Sequence, residues 1–355
     1  MAQTIENTLG LMKDYLFKNH QHGFWIDFTN GHGGSDCWTT SYVARNLAEN
    51  PQNLTRLAPI KNRIVFNQRK DGGWGYNHTA ASDADTTANC LLFLLKFPDT
   101  GEAIEAGTEH LLRHHDKKTG GISTYKKDDF KLYTDKDEGG GWCSSTIEVT
   151  SLATRALIES GYEGDEIEQS LDFIASKQDG DGSWPSYWWS SREYAIVESI
   201  EVLEKFPQYK ENVRRALEHL TDKRRGVGWI NDFTQKYSPF CAALTLRILL
   251  KDKARLIKEH NLSERYQVAK KFIPELLESE LGTLLGTKNP DGSFGPEPLF
   301  RIPRYDVVDP SKVNKWFIDA PHRNSVYTDD RRFFTTATVY SALFRHTKES
   351  KASLN

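Results

Sequence analysis

"QRKDGGW" (Gln68–Trp74) and "QDGDGSW" (Gln178–Trp184) are two copies of one pattern, Q-x-x-x-G-x-W. Looser copies end at Trp25 ("NHQHGFW"), Trp229 ("RRGVGW", with Val227 at the Gly place) and Phe294 ("KNPDGSF"). A weaker one, "DKKTGGI", ends at Ile122. Each residue type has a physical use in a turn. Gly can take a positive φ, a Gln amide can bond a neighbouring backbone, and a Trp can lie flat between packed elements. A turn that returns in this way marks a repeat architecture, in which each unit buries its apolar face on its neighbours.

The segments around the turns read as helices. Amphipathic stretches precede them at roughly 5–18, 56–67, 101–114, 165–177, 210–222 and 265–286. More apolar stretches follow at roughly 36–49, 82–97, 144–160, 191–205, 238–250 and 331–346. Apolar residues recur at three- and four-residue spacing in both sets, as in Leu171, Ile174 and Ala175. Strand signals are almost absent. Six copies of outer helix, turn and inner helix predict an all-α chain closed into a ring, an α/α toroid, with 1–355 as a single domain. A long Pro-punctuated insertion, 297–328, precedes the last inner helix, and its length suits a lid.

Composition narrows the function classes. A formal net charge of −3 with 27% charged residues gives no basic field for nucleic acid. Four cysteines, at 37, 90, 143 and 241, form no close pair, which argues against a disulfide framework or structural zinc and fits a reducing cytoplasm. The opening residues, MAQTIENTLGLMKDYLF, lack the basic start and apolar core of a secretory leader, and no apolar run nears the roughly 20 residues that span a bilayer. A cytoplasmic location is expected. The apolar face of 272–286 could pack on the toroid or touch a membrane peripherally. The oligomeric state is not legible.

Chemistry concentrates at the second inner helix. "SDADTTANCLL" from Ser82 repeats the frame S-D-x-x-T-T of "SDCWTTSYVAR" from Ser35. Ser, the first Asp and the paired Thr can cap either helix, with Ser82 as N-cap and Asp85 three residues on in capping-box spacing. The fourth frame position differs, being Trp38 in one copy and Asp85 in the other. Capping is a need common to both copies, so Asp85 is the residue that capping leaves unexplained.

At these motifs the chain resembles the class II, protonation-initiated terpene cyclases of the squalene–hopene cyclase superfamily. Its QW-type turns are similar to theirs along essentially the whole chain, and Asp83-Ala84-Asp85-Thr86-Thr87 matches the D-x-D-T-T variant of drimenyl-type cyclases. The resemblance implies an α/α toroid and names Asp85 as the acid that protonates a terminal alkene. Asp83 is its neighbour, and Thr86 stands where the D-x-D-D form has its last Asp. The supporting His of squalene–hopene cyclase has no evident counterpart. Protein prenyltransferase β subunits and thioester domains share the toroid. The Asp-x-Cys pair of the first is missing, since Asp36 and Cys37 are adjacent, and so is the CGEQ stretch of the second. A single toroid resembles the bacterial monodomain cyclases that act on meroterpenoids, prenyl chains attached to an aromatic acid.

An alkene is a poor base, so its acid must be strong yet still protonated at neutral pH; burial in an apolar cavity provides the second property. The cation formed needs unreactive walls, which aromatic faces supply at about 0.5–2 kcal/mol each. The candidates lie near the inner-helix starts: Trp38, Trp142, Trp188, Trp189, Tyr194, Tyr237, Phe240, Tyr327, Phe333 and Phe334. Glu148, Tyr194 or water could take the final proton. The expected partner is a hydrophobic polyprenyl substrate, with no cofactor for a prenylated aromatic and magnesium if the head group is a diphosphate. A non-catalytic toroid that binds an isoprenoid is the alternative from another class.

Overall fold

The structure is a computed structural model that describes residues 2–130, 140–222, 229–250 and 277–352. Its longer helices are, in chain order, α1 (Ala2–Asn19), α2 (Cys37–Leu47), α3 (Leu54–Phe66), α4 (Ala84–Leu94), α5 (Gly101–Arg113) and α6 (Ile147–Glu159). There follow α7 (Glu166–Ser176), α8 (Glu193–Leu203), α9 (Lys210–Asp222), α10 (Pro239–Leu249), α11 (277–286) and α12 (Phe333–Ala352). The even-numbered helices form an inner ring. Each packs on the next, α2 on α4, α4 on α6, α6 on α8, α8 on α10 and α10 on α12, and α12 packs back on α2. The ring closes, and the architecture is an α/α toroid. Outside it, α5 packs on α4, α7 on α6, α9 on α8 and α1 on α12. Every residue of α8 is buried, as befits a helix enclosed on all sides. The expected helices agree with these bounds to within a few residues, and 265–276 lies outside the described residues.

The QW-type turns work as clamps. Trp25, Trp74 and Trp184 each donate an indole N–H to a carbonyl of the preceding outer helix, those of Leu16, Ile64 and Ile174, all at 2.7 Å. Gln68 reaches forward, its amide donating to the carbonyls of Gly72 and Ala103 at 2.8 Å. Gln178 repeats this with Gly182 at 2.9 Å and Asn212 at 2.8 Å. Gly182 has φ +87° and lies so close to the carbonyl of Arg215 on α9 that a Cβ would collide with it. A Thr near the start of an inner helix completes each clamp. Hydroxyls of Thr40, Thr87, Thr150 and Thr336 accept the backbone N–H of Trp25, Trp74, Ile122 and Phe294, at 2.9–3.0 Å. The last turn uses the same device to close the ring, since Gly292 presses on Leu11 of α1.

One expectation is corrected, and of the two uses read for 272–286 packing on the toroid is the one seen where the residues are described. Strands are present, in short pieces that period-2 reading does not detect. β1 (Asp27–Asn30) pairs with β2 (Gly33–Ser35), and β3 (Trp74–Gly75) with β4 (Ser82–Asp83). The insertion also holds a sheet, β5 (Pro298–Ile302), β6 (Phe317–Ile318) and β7 (Ser325–Thr328), in the order β5-β7-β6. The apolar face of 277–286 is turned into the core, with Leu277, Leu281 and Leu284 all buried; 272–276 lie outside the described residues. No described helix is long and apolar enough to cross a membrane.

Replacing Gly182 by Ala should lower stability by about 1–3 kcal/mol, because it adds both a strained φ and a clash. Gly180→Ala, where a Cβ meets nothing within 4 Å, should be nearly neutral. Urea unfolding of the two variants checks the difference.

Candidate active site

Asp85 sits in the first turn of α4. The N-cap of that helix is Asp83, not Ser82. Pairing of β4 with β3 keeps the chain extended through Asp83 (φ −136°, ψ 156°), so the helix starts one residue later than the capping-box reading. Asp83 Oδ1 accepts the backbone N–H of Thr86 at 2.7 Å, and Oδ2 accepts the Thr86 hydroxyl at 2.8 Å. Ser82 instead donates to Asp71 at 3.0 Å. In the sister repeat Asp36 accepts from the Cys37 N–H and Ser35 from the Thr39 N–H, so the shared frame caps both helices through different atoms.

The two residues that distinguish the repeats meet. Trp38 Nε1 donates to Asp85 Oδ2 at 2.6 Å. The neighbouring threonine hydroxyls are engaged elsewhere, Thr86 on Asp83 and Thr87 at Trp74. Burial pushes the Asp83 carboxyl up to about 7, against the pull of its Thr86 bonds. Burial, and then repulsion from Asp83, push Asp85 up to about 8; the Arg45 charge and then the Trp38 N–H act in the other direction. With both oxygens bonded, Asp83 is the better seat for the charge when only one of the two ionises.

Beside Asp85 lies a cavity of about 30 Å³, walled by Trp38, Tyr76, Thr124, Tyr125, Trp188 and Phe300 with the Asp83–Thr86 turn. That is room for a few waters at most. Phe300 fills the middle, with ring centroids 4.8 Å from Trp38, 6.0 Å from Tyr76 and 6.1 Å from Trp188. Trp189, Tyr194, Phe240 and Phe334 continue the cluster down the barrel. Trp189 stacks on Tyr194 at 4.1 Å and on Phe240 at 5.3 Å, and Phe334 packs on Trp38 at 5.0 Å and Tyr42 at 3.5 Å.

Other expected residues lie at or beyond the edge. Trp142 touches the site through Trp188, at 5.6 Å, while its indole donates to Pro303 O. Tyr327, on β7, is paired in register with Phe300. Tyr237 bridges Ile230 before α10, and Phe333 turns outward onto Tyr15 of α1, at 6.0 Å. Tyr237, Tyr327 and Phe333 do not wall the cavity. Glu148 is buried, with Oε1 accepting the backbone N–H groups of Tyr187 at 2.6 Å and Trp188 at 2.7 Å and with Oε2 unpartnered. Sequence reasoning missed Phe28, Tyr76 and Phe300. The first two follow Trp25 and Trp74 by three and two residues, a recurrence that could have marked them. Phe300 reaches the site only through long-range pairing, with Arg301 N–H donating to Trp188 O at 2.7 Å and Ser190 N–H to Leu299 O at 2.8 Å. Among the described residues no group of three His, Cys, Asp or Glu is placed to hold a metal.

No family model matches the chain. Among solved structures it is similar to a protein from Actinoplanes, at 25% identity with a TM-score of 0.81, covering 97% of this chain and 99% of that one. It is also similar to a type II terpene cyclase from Scytonema, at 23% identity with a TM-score of 0.82, covering 98% of both chains. The chain has the type II terpene cyclase fold. Variants of the Scytonema cyclase were solved with geranylgeranyl dihydroxybenzoate as substrate and merosterolic acid A as product. Among curated proteins, drimenyl diphosphate synthase from Streptomyces showdoensis is 23% identical over 291 residues, 77% of this chain. The chain spans about half the length of that relative, 48%.

The elevated Asp85 carboxyl has a consequence for stability. The folded state holds a proton there that the unfolded state releases near the ordinary value of 3.8, so stability is lost as pH rises from that value through about 8. Asp85→Asn should therefore be more stable than wild type at pH 8–9, by an amount on the order of a few kcal/mol, and nearly equal to it near pH 4. Thermal melts across that range check the trend.

Proposed function

We propose that this protein is a class II terpene cyclase in which Asp85 protonates the terminal alkene of a linear polyprenyl chain. The observation that carries the reading is the Trp38–Asp85 hydrogen bond, which holds a neutral carboxyl in an aromatic cage at a helix N-terminus. The alkene π pair takes the proton, forming a C–H bond, and leaves a carbocation on the chain and a carboxylate on Asp85. The indole N–H, and the dipole of α4 at its N-terminus, stabilise that carboxylate. Internal double bonds then attack in turn, while the faces of Trp38, Trp189 and Phe334 stabilise the moving charge. Loss of a proton from the final cation to water ends the sequence, and a proton taken up from solvent restores the Asp85 acid. Glu148, with one oxygen on the Tyr187 and Trp188 amides, holds the Trp188 wall in place.

A polyprenyl chain does not fit about 30 Å³. Tyr76, Thr124, Tyr125, Trp188 and Phe300 wall it from outside the inner helices, and of these Phe300 belongs to the inserted sheet, so we assign 297–328 the part of a lid. The head group of choice is an aromatic acid, supported by full-length similarity to the Scytonema cyclase. A prenyl diphosphate is the second reading, supported by the drimenyl diphosphate synthase match and the D-x-D-T-T motif. Both make the partner a small hydrophobic molecule met by a single toroid domain.

Incubation with geranylgeranyl dihydroxybenzoate and, separately, geranylgeranyl diphosphate tests the proposal. Wild type should cyclise the first, Asp85→Asn should lose at least about 1,000-fold, and Trp38→Phe should lose about 10- to 100-fold. Turnover should fall as pH rises through about 8, where Asp85 loses its proton. Equal turnover by wild type and Asp85→Asn would sink the acid assignment, and binding without product would favour the non-catalytic toroid.

A further inference from the structure

The inner helices change character along the barrel. Trp38 lies near the start of α2, and Arg45 follows seven residues later, about 10 Å along the axis. At that far end a second cavity opens, about 320 Å³ in volume. Arg45, Arg155, Arg247 and Arg345 line it from four inner helices, with exposed Lys96 and Lys348 also on its wall. Two carboxylates, Glu49 and Glu159, share the lining, and Glu198 and Glu201 stand behind it.

The ion pairs do not use up these cations. Arg45 bonds Glu198 at 2.9 Å, Arg155 bonds Glu159 at 2.9 Å, and Arg345 bonds Glu49 at 2.8 Å and Glu201 at 2.6 Å. Arg247 has only a loose approach to Glu201, at 3.6 Å. Its side chain is 2% exposed, yet Nε and Nη1 have no hydrogen-bond partner. Arg45 Nη1 is likewise buried without a hydrogen-bond partner, while Glu198 Oε2 on the acidic side has only Arg155 Nη1 nearby, at 3.5 Å. A buried N–H left unpaired is destabilising, and more so on a charged group. An occupant that accepts several hydrogen bonds would recover that cost.

We propose that this cavity is a second binding site, for a phosphate-class oxyanion, separate from Asp85. Guanidinium groups match the paired oxygens of such an anion, and an excess of two positive charges over the surrounding carboxylates matches its charge. The occupant is a free anion of the size of pyrophosphate rather than a whole lipid. Apolar contact comes only from Leu92 and Phe344 among the lining residues, too little wall for a prenyl chain. The site does not depend on the chemistry assigned to Asp85.

The test titrates the full-length protein with sodium pyrophosphate, sodium phosphate and sodium chloride at matched ionic strength, followed by melting temperature and calorimetry. Pyrophosphate should stabilise saturably, chloride should not, and Asp85→Asn should respond as wild type does. Arg247→Met should abolish the response. Should that variant fail to fold, Lys96→Ala/Lys348→Ala, altered only at exposed positions, should weaken binding about 3- to 10-fold with its circular dichroism unchanged. Geranylgeranyl diphosphate should not compete with pyrophosphate; competition would overturn the assignment of the site to a free anion. Stabilisation equal to that by chloride, or wild-type binding by the lysine double variant together with any folded Arg247→Met, would overturn the proposal.

Discussion

A single hydrogen bond between two repeats, from the Trp38 indole to the Asp85 carboxyl, sets the demand that the rest of the molecule meets. The partners come from different inner helices, so a separation of 2.6 Å holds only if α2 and α4 cannot slide. The clamps prevent sliding. Thr40 and Thr87 tie α2 and α4 to their own turns, while Gln68 ties the second turn to the outer helix beyond it. Ring closure removes the remaining freedom. Asp27, on β1, accepts the backbone N–H groups of Arg331 and Phe333 at the start of α12, so the first repeat is held by the last.

The electrostatics of the site follow from two opposed requirements. A carboxyl that is to give up a proton must hold one first, and burial beside Asp83 ensures that it does. It must also be stable once ionised, which an N–H donor and a helix N-terminus provide. Asp83 serves both ends, through its cap on Thr86 and through its charge. Aromatic rings make up most of the cavity wall beside Asp85, and the densely charged lower barrel begins about two helical turns away at Arg45, whose charge still lowers the Asp85 carboxyl.

The ring was legible in the sequence because a turn with Gly and an aromatic at fixed spacing can be counted, and because inner helices read as more apolar than outer ones. The place of Asp85 was legible by comparing two repeats, although the contact that explains Trp38 at the sister position was not. Residues such as Phe333 and Phe334 show the limit of local reading: they are adjacent, one faces α1 and the other the barrel, and only helix phase separates them. Phe300 was out of reach. It arrives through pairing of 298–302 with Ser325–Thr328 and with the 186–190 loop, contacts without a local periodic signal. The N-cap was misplaced by one residue because the β3–β4 pair, only two residues long, holds Ser82 and Asp83 extended.

The central claim is that Asp85 is a neutral acid at neutral pH, held on the Trp38 indole. Infrared difference spectroscopy of wild type against Asp85→Asn, recorded from pH 5 to 10, tests this most directly. The account predicts a protonated-carboxyl band at pH 7 that is absent from Asp85→Asn and is lost near pH 8 in wild type, at higher pH in Trp38→Phe. A carboxylate band from Asp85 already complete at pH 6, unmoved by Trp38→Phe, would contradict it.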